Sequence, residues 1–421
     1  MSFLTFILYI ICVFLRPQDW VPGMIGRPLV YILGIATVIL LFFESNQRLQ
    51  DRKFVKVPQS PMLIAFFAAI LMSHLSHFYF GGLLTSFTRF LSTVVLFFVI
   101  LNAINTERRL NVTMGLIVLI MVLLVFQGMD QVKNGYGWGG QFITIEGDQA
   151  GGSIKRINWV GIFNDPNDLA LAFVMAIGFA MPFVFSNVNF LFRLINAAIM
   201  VFLGYGVYLT NSRGGMLAMG AAVLLFFIQK TRNFLLGGIV GGLGAAVMII
   251  FGPSRMSLLS SREDSAASRI DLWYGGLQMF KANPVFGIGY DMFMNDMSQT
   301  AHNSYVLVMA ELGFVGLFFW IAMIYASMKG LAMVQRNNKS LCNYALGIQS
   351  ALGGFCAAAF FLSRTYVIIP YMLCAMAGSV VWLAQGVDKD FQVKFEHKDF
   401  RNVFILCVAI WFAVTLMIRS R

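Results

Sequence analysis

Long apolar runs separated by short polar connections make up most of this chain. They read as candidate helices over 2–15, 28–44, 58–75, 84–104, 112–128, 167–186, 190–209, 214–229, 233–252, 304–328, 341–362, 369–386 and 402–418. An apolar stretch of about 20 residues crosses a hydrocarbon core of about 30 Å as a helix, which pairs its own backbone N–H and C=O groups. The pattern therefore predicts an all-α, polytopic membrane protein, a single integral membrane domain over residues 1–421. Met1–Leu15 is apolar, with no basic n-region and no small-residue cleavage site, and reads as an uncleaved first segment that is short for a full span.

The charges orient these runs. Lys and Arg collect in connections that should lie on the cytoplasmic side. Those connections carry Arg48, Arg52, Lys53 and Lys56; Arg108 and Arg109; Lys230 and Arg232; Lys329, Arg336 and Lys339; and Lys389, Lys394, Lys398 and Arg401. An even number of predicted spans separates each basic connection from the next, so the parity is self-consistent. The connections 129–166, 210–213, 253–303 and 363–368 then fall outside. A full thirteenth span would strand Arg419 and Arg421 outside, so roughly 12 spans are expected.

Composition supports this reading. The chain is 59% hydrophobic and 12% charged, with mean hydropathy +0.77; soluble proteins carry about a quarter charged residues. The net charge of +11 sits largely in the short loops, which makes it topology information and not a nucleic-acid surface. Five cysteines lie in or beside apolar segments without metal spacing, and read as small core residues. Gly237, Gly238, Gly241, Gly242 and Gly244 suit close helix packing and not a nucleotide loop.

Four polar features collect on the external side. In Thr210-Asn211-Ser212-Arg213-Gly214-Gly215 one span ends and the next begins, with glycines that admit a close neighbour. Arg213 can face a cavity or snorkel to the interface. In the external connection 253–303, Arg255, Arg262 and Arg269 oppose the positive-inside rule and suit an anionic phosphate. They equally suit lipid headgroups or Glu263, Asp264 and Asp271. Arg269, Leu272, Trp273 and Leu277 share helical spacing, which predicts a short amphipathic helix at the membrane. Next comes Ala301-His302-Asn303-Ser304-Tyr305, a polar cluster at the mouth of an apolar span. His302, Tyr305 and Met309 would share one helix face, while Glu311 points away unless Gly313 and Gly316 break the helix. The fourth feature, Asn164-Asp165-Pro166-Asn167-Asp168, lies in a second external loop, 129–166, or at its edge. There Asn167 or Asp168 caps a helix or meets sugar hydroxyls, while Tyr136, Trp138 and Trp159 stack on sugars or form an aromatic belt.

These motifs resemble the O-antigen ligase and O-antigen polymerase superfamily of bacterial envelope glycan assembly. The residues that carry the likeness are Thr-Asn-Ser-Arg213-Gly-Gly, Ser-Arg269-Ile-Asp-Leu-Trp, Asn283-Pro-Val-Phe-Gly-Ile-Gly289-Tyr, Ala-His302-Asn303-Ser-Tyr-Val-Leu and Glu311-Leu-Gly313. The resemblance implies an inner-membrane glycosyltransferase with an external active-site loop over 253–303. It implies an undecaprenyl-diphosphate-linked glycan donor and a glycan or lipid acceptor, with no metal and no cofactor. Arg213 and Arg269 would hold the diphosphate and His302 would serve the acceptor hydroxyl. Asn303, Tyr305, Arg255, Arg262, Asn167, Asp168 and Trp273 would line the substrate. Membrane lipids and other polysaccharide-assembly proteins are the remaining expected partners, and nucleic acid is not one. The compact 253–303 loop leans towards a polymerase over a ligase or a protein O-oligosaccharyltransferase.

A lipid-linked glycan transporter or flippase is the rival from another class. It calls for ionisable residues at span centres and for broken helices in paired halves. Arg89, Arg193, Glu311, His74 and His77 supply few such groups. An intramembrane protease lacks its signatures: there is no GxSxG, HExxH or paired intramembrane Asp.

Overall fold

A computed structural model of the protein describes residues 1–46, 57–147, 153–235, 237–238 and 263–419. The basic connection Arg48–Lys56, nearly all of the predicted span 233–252, and Arg255 and Arg262 lie outside the described residues. In chain order the helices are α1 (Ser2–Phe14), α2 (Pro17–Trp20), α3 (Leu29–Asn46), α4 (Gln59–Leu75), α5 (Phe80–Ala103) and α6 (Glu107–Asn134). Strands β1 (Thr144–Gly147) and β2 (Ser153–Arg156) pair antiparallel, Thr144 opposite Arg156, where the sequence suggested only a loop. Then follow α7 (Pro166–Val184), α8 (Phe190–Leu209), α9 (Arg213–Thr231) and α10 (Glu263–Ala282). The chain closes with α11 (Phe293–Asp296), α12 (Ser304–Asn337), α13 (Cys342–Ala359), α14 (Ile368–Val387) and α15 (His397–Arg419).

Among the described residues, 8 helices are long and apolar enough to cross a membrane: α5, α6, α7, α8, α9, α12, α14 and α15. α1, α3 and α4 are shorter apolar helices, and α13 occupies the predicted span 341–362. The protein is an all-α polytopic membrane protein.

The described residues fall into two compact units. The first comprises 1–46, 99–147, 153–235, 237–238 and 331–355; the second comprises 57–98, 263–330 and 356–419. In the first, α7 packs against α6, α8 and α9 and is buried on nearly every face, as an apolar-all-round helix must be. Small residues let the backbones close up: a Cβ on Gly347 of α13 would stand 2.7 Å from the Gly178 carbonyl oxygen of α7. Without a hydrophobic driving force inside lipid, such close packing is what holds spans together. In the second unit α14 is the buried centre. The Tyr371 ring of α14 meets Phe90 of α5 at 5.2 Å, and Phe90 meets Phe66 of α4 at 5.6 Å, edge-on as aromatic quadrupoles prefer. α10 lies against α15.

Candidate active site

The candidate residues fall into two sets, one in each unit. In the first unit the site begins at the turn between α8 and α9. Ser212 caps α9, its Oγ accepting from the Gly215 N–H at 3.0 Å, and Asn211 takes the left-handed conformation (φ 49°) that Asn tolerates. Gly215 is required because a Cβ there would run into Ala170 of α7. Asp165, with Pro166 following it, caps α7; neither Asn167 nor Asp168 does. Asn167 instead joins the two helix starts. Its Oδ1 accepts from Ser212 Oγ at 2.7 Å and from Arg156 Nη2 at 2.9 Å. Asp168 stands half-buried in the first turn of α7, where an anion suits the helix dipole.

Arg156, buried to 6% exposure, is the hub of this knot. It also pairs with Glu146 of β1 and donates from Nε to the Thr210 carbonyl at 3.0 Å. Asn211 Nδ2 donates to the Lys155 carbonyl at 2.8 Å, so the hairpin is clamped onto the α8–α9 turn. Arg213 follows directly as the first residue of α9, half-buried. A cation there works against the helix dipole, while an anion would be welcomed both by the dipole and by the guanidinium. Trp138 and Trp159 flank Trp20 at 6.3 and 6.0 Å, and Trp138 Nε1 donates to Asp130 at 2.7 Å.

In the second unit the anticipated helix over Arg269–Leu277 is present as part of α10, with Leu272, Trp273 and Leu277 buried. Trp273 Nε1 donates to the Ala301 carbonyl at 2.9 Å, and its ring meets Phe360 at 5.5 Å. Arg269 is half-buried one turn before Trp273 on the same helix face. His302 lies outside α12, so it does not share a helix face with Tyr305 as its spacing suggested. It adopts φ 49°, a left-handed backbone uncommon for a non-glycine residue and frequent at functional positions. Asn303, fully buried, caps α12 through Oδ1, which accepts from Tyr305 N at 2.9 Å and Val306 N at 3.2 Å. Tyr305 Oη donates to the Cys356 carbonyl at 2.9 Å.

The loop 360–367 docks on this helix start. Ser304 Oγ donates to the Leu362 carbonyl at 2.6 Å and accepts from Arg364 N at 2.8 Å, which brings Arg364 to the end of α12 that carries His302.

Gly313 breaks α12, with φ 63° and ψ −161°, a conformation open to glycine almost alone. The segment Pro284–Gly289 fills the break. Phe314 N and Val315 N donate to the Pro284 and Val285 carbonyls at 2.8 and 3.2 Å, while Ile288 N and Gly289 N donate to the Ala310 and Glu311 carbonyls at 2.9 and 3.0 Å. The paired motifs Asn-Pro-Val-Phe-Gly-Ile-Gly and Glu-Leu-Gly are therefore two halves of one lock. Glu311, 2% exposed, secures it. Its carboxylate accepts from Phe293 N at 3.1 Å and from Tyr366 Oη at 2.6 Å. Burial, then Glu311, pushes the Tyr366 hydroxyl well above the usual phenol range; burial raises Tyr290 to about 12, with Asp291 and Glu311 adding to it. Both stay protonated near neutral pH. His74 and His77 brace the same loop. Ser73 Oγ accepts from Tyr290 N at 3.1 Å, His77 Nε2 meets Asn283 Oδ1 at 3.1 Å, and a Cβ on Gly289 would stand 3.0 Å from the His74 ring. Arg89 pairs with Asp291 at 2.5 Å.

The sequence reading missed Arg156, Arg364 and Tyr366. Arg156 and Arg364 both lie in connections that the charge pattern predicts to be external, and an arginine against that pattern was the available signal. No curated protein matches this chain. Residues 198–321 match the family model described as O-antigen ligase, a segment that contains Arg213, Arg269, His302 and the Gly313 lock, and the match supports the O-antigen ligase/polymerase-like superfamily that the motifs resemble.

Proposed function

We infer that this protein is a glycosyltransferase of bacterial surface polysaccharide assembly, moving a glycan from undecaprenyl diphosphate to an acceptor hydroxyl on the external membrane face, with a lean to polymerase. The observation that carries this reading is the O-antigen ligase match over 198–321, within which Arg213, Arg269 and His302 all fall.

The acceptor oxygen bonds to the anomeric carbon as the anomeric carbon–phosphate oxygen bond breaks, inverting configuration. The hydroxyl proton passes to the His302 imidazole, a general base suited to neutral pH. Undecaprenyl diphosphate departs with the bonding pair, and Arg213 and Arg269 neutralise the charge that develops on its oxygens. Diphosphate is already a good leaving group, so the step as proposed needs neither metal nor nucleotide sugar. Arg255 and Arg262 add cations for the donor. Asn303, Tyr305, Trp273, Asn167 and Asp168 shape the substrate site, several of them by fixing the helix starts that carry the reacting groups.

The test is complementation of a deletion strain, with lipid-linked intermediates resolved on gels. Accumulation of single lipid-linked repeats in normally inserted Arg213→Gln and Arg269→Gln strains supports a polymerase. Long unattached lipid-linked chains point to a ligase. Wild-type surface glycan in both variants sinks the site assignment.

A further inference from the structure

The first unit holds a half-open cavity of about 640 Å³ at the end of α9 away from Arg213. The 19 residues of α9 put roughly 28 Å between the two ends, so this is not the site described above. Among the described residues three cations line it: Lys230 and Arg232 from the end of α9 and Arg336 from the end of α12. Among the described residues no carboxylate lines it, and none of the three is in an ion pair. The positive-inside tendency explains cations near helix ends, but it does not explain their convergence from two helices on one cavity, where like charges repel.

The rest of the lining is amphipathic. Gln229 Oε1 is buried without a hydrogen-bond partner, while Gln335 donates its amide N–H to Gln349. Ile228, Phe234 and Leu346 supply apolar wall beside these polar groups. A free soluble anion would have no use for that wall, whereas a lipid presents a phosphate and an acyl chain together. Basic pockets between membrane helices take such headgroups.

We propose that this cavity binds the phosphate headgroup of an anionic membrane lipid through Lys230, Arg232 and Arg336, with the acyl chain along Ile228, Phe234 and Leu346. The test uses the full-length protein in neutral detergent, titrated with phosphatidylglycerol, phosphatidylcholine or inorganic phosphate, and read by native mass spectrometry and thermal unfolding. Phosphatidylglycerol should stay bound and raise Tm, while the other two should not. Each charge near a lipid headgroup is worth about fivefold in affinity. Lys230→Gln/Arg232→Gln/Arg336→Gln should therefore weaken phosphatidylglycerol roughly 100-fold, and Lys230→Arg/Arg336→Lys should retain it. An unchanged lipid-free Tm in the triple variant separates lost binding from lost folding; if that Tm falls, Lys230→Gln and Arg336→Gln alone must each still show the loss. Equal binding of phosphatidylcholine, undiminished binding by the variants, or the same shift from inorganic phosphate overturns the assignment.

Discussion

The Phe314 N–H donates to the Pro284 carbonyl at 2.8 Å, across a helix that breaks one residue earlier at Gly313. A break inside a membrane span frees backbone groups that lipid cannot satisfy, at several kcal/mol each. Here the inserted segment satisfies four of them. Gly313→Ala forces a Cβ into the Val285 carbonyl at a backbone angle L residues avoid, which should cost at least about 1–3 kcal/mol. Thermal unfolding in detergent should show a lowered Tm for Gly313→Ala and Gly287→Ala. Gly386→Ala, with open space around it, should be silent.

Glu311 and Tyr366 should be energetically coupled. Removing the Tyr366 hydroxyl leaves one oxygen of a buried carboxylate short of a donor, a loss of about 1–3 kcal/mol. A double-mutant cycle with Glu311→Gln and Tyr366→Phe should return coupling of that order. Strict additivity would mean that the bond does not help hold the lock.

Tyr290 should make the protein sensitive to alkali. Its folded value of about 12 lies above the usual value of 10.0. The stability it contributes is complete below pH 10 and is lost as pH rises towards 12. Melting curves across that window should fall more steeply for wild type than for Tyr290→Phe; parallel curves would remove Tyr290 from the account.

How far sequence reaches can be judged from particular residues. The spans were legible because apolar runs of membrane length have few alternatives, and helix α10 because Leu272, Trp273 and Leu277 repeat at helical spacing. The break at Gly313 was only half legible: glycine permits it, but its partner segment lies some 25 residues upstream. The left-handed backbone of His302 was not legible, since Asn303 capping one side and Trp273 gripping Ala301 on the other decide it. Arg156 was missed for the same reason, its partner Thr210 being 54 residues away.

Arg156 gives a test of positioning at a distance. Arg156→Gln should release strands β1 and β2 from the α8–α9 turn, lowering the amide hydrogen-exchange protection of both strands. By letting Arg213 shift, it should also cut glycan transfer by about 100-fold. Transfer at the wild-type rate in a variant whose strands have lost protection would show that Arg213 is held by other contacts.

The central claim is best tested on purified protein in lipid nanodiscs supplied with an undecaprenyl-diphosphate-linked glycan and acceptor, by following release of undecaprenyl diphosphate. The decisive variant is His302→Asn, because Asn tolerates the left-handed backbone that alanine would strain. Wild type should release the lipid carrier as glycan is joined. His302→Asn should fold with an unchanged Tm and release it about 100- to 10,000-fold more slowly. Release at the wild-type rate by well-folded His302→Asn would contradict the assignment of His302 as the base.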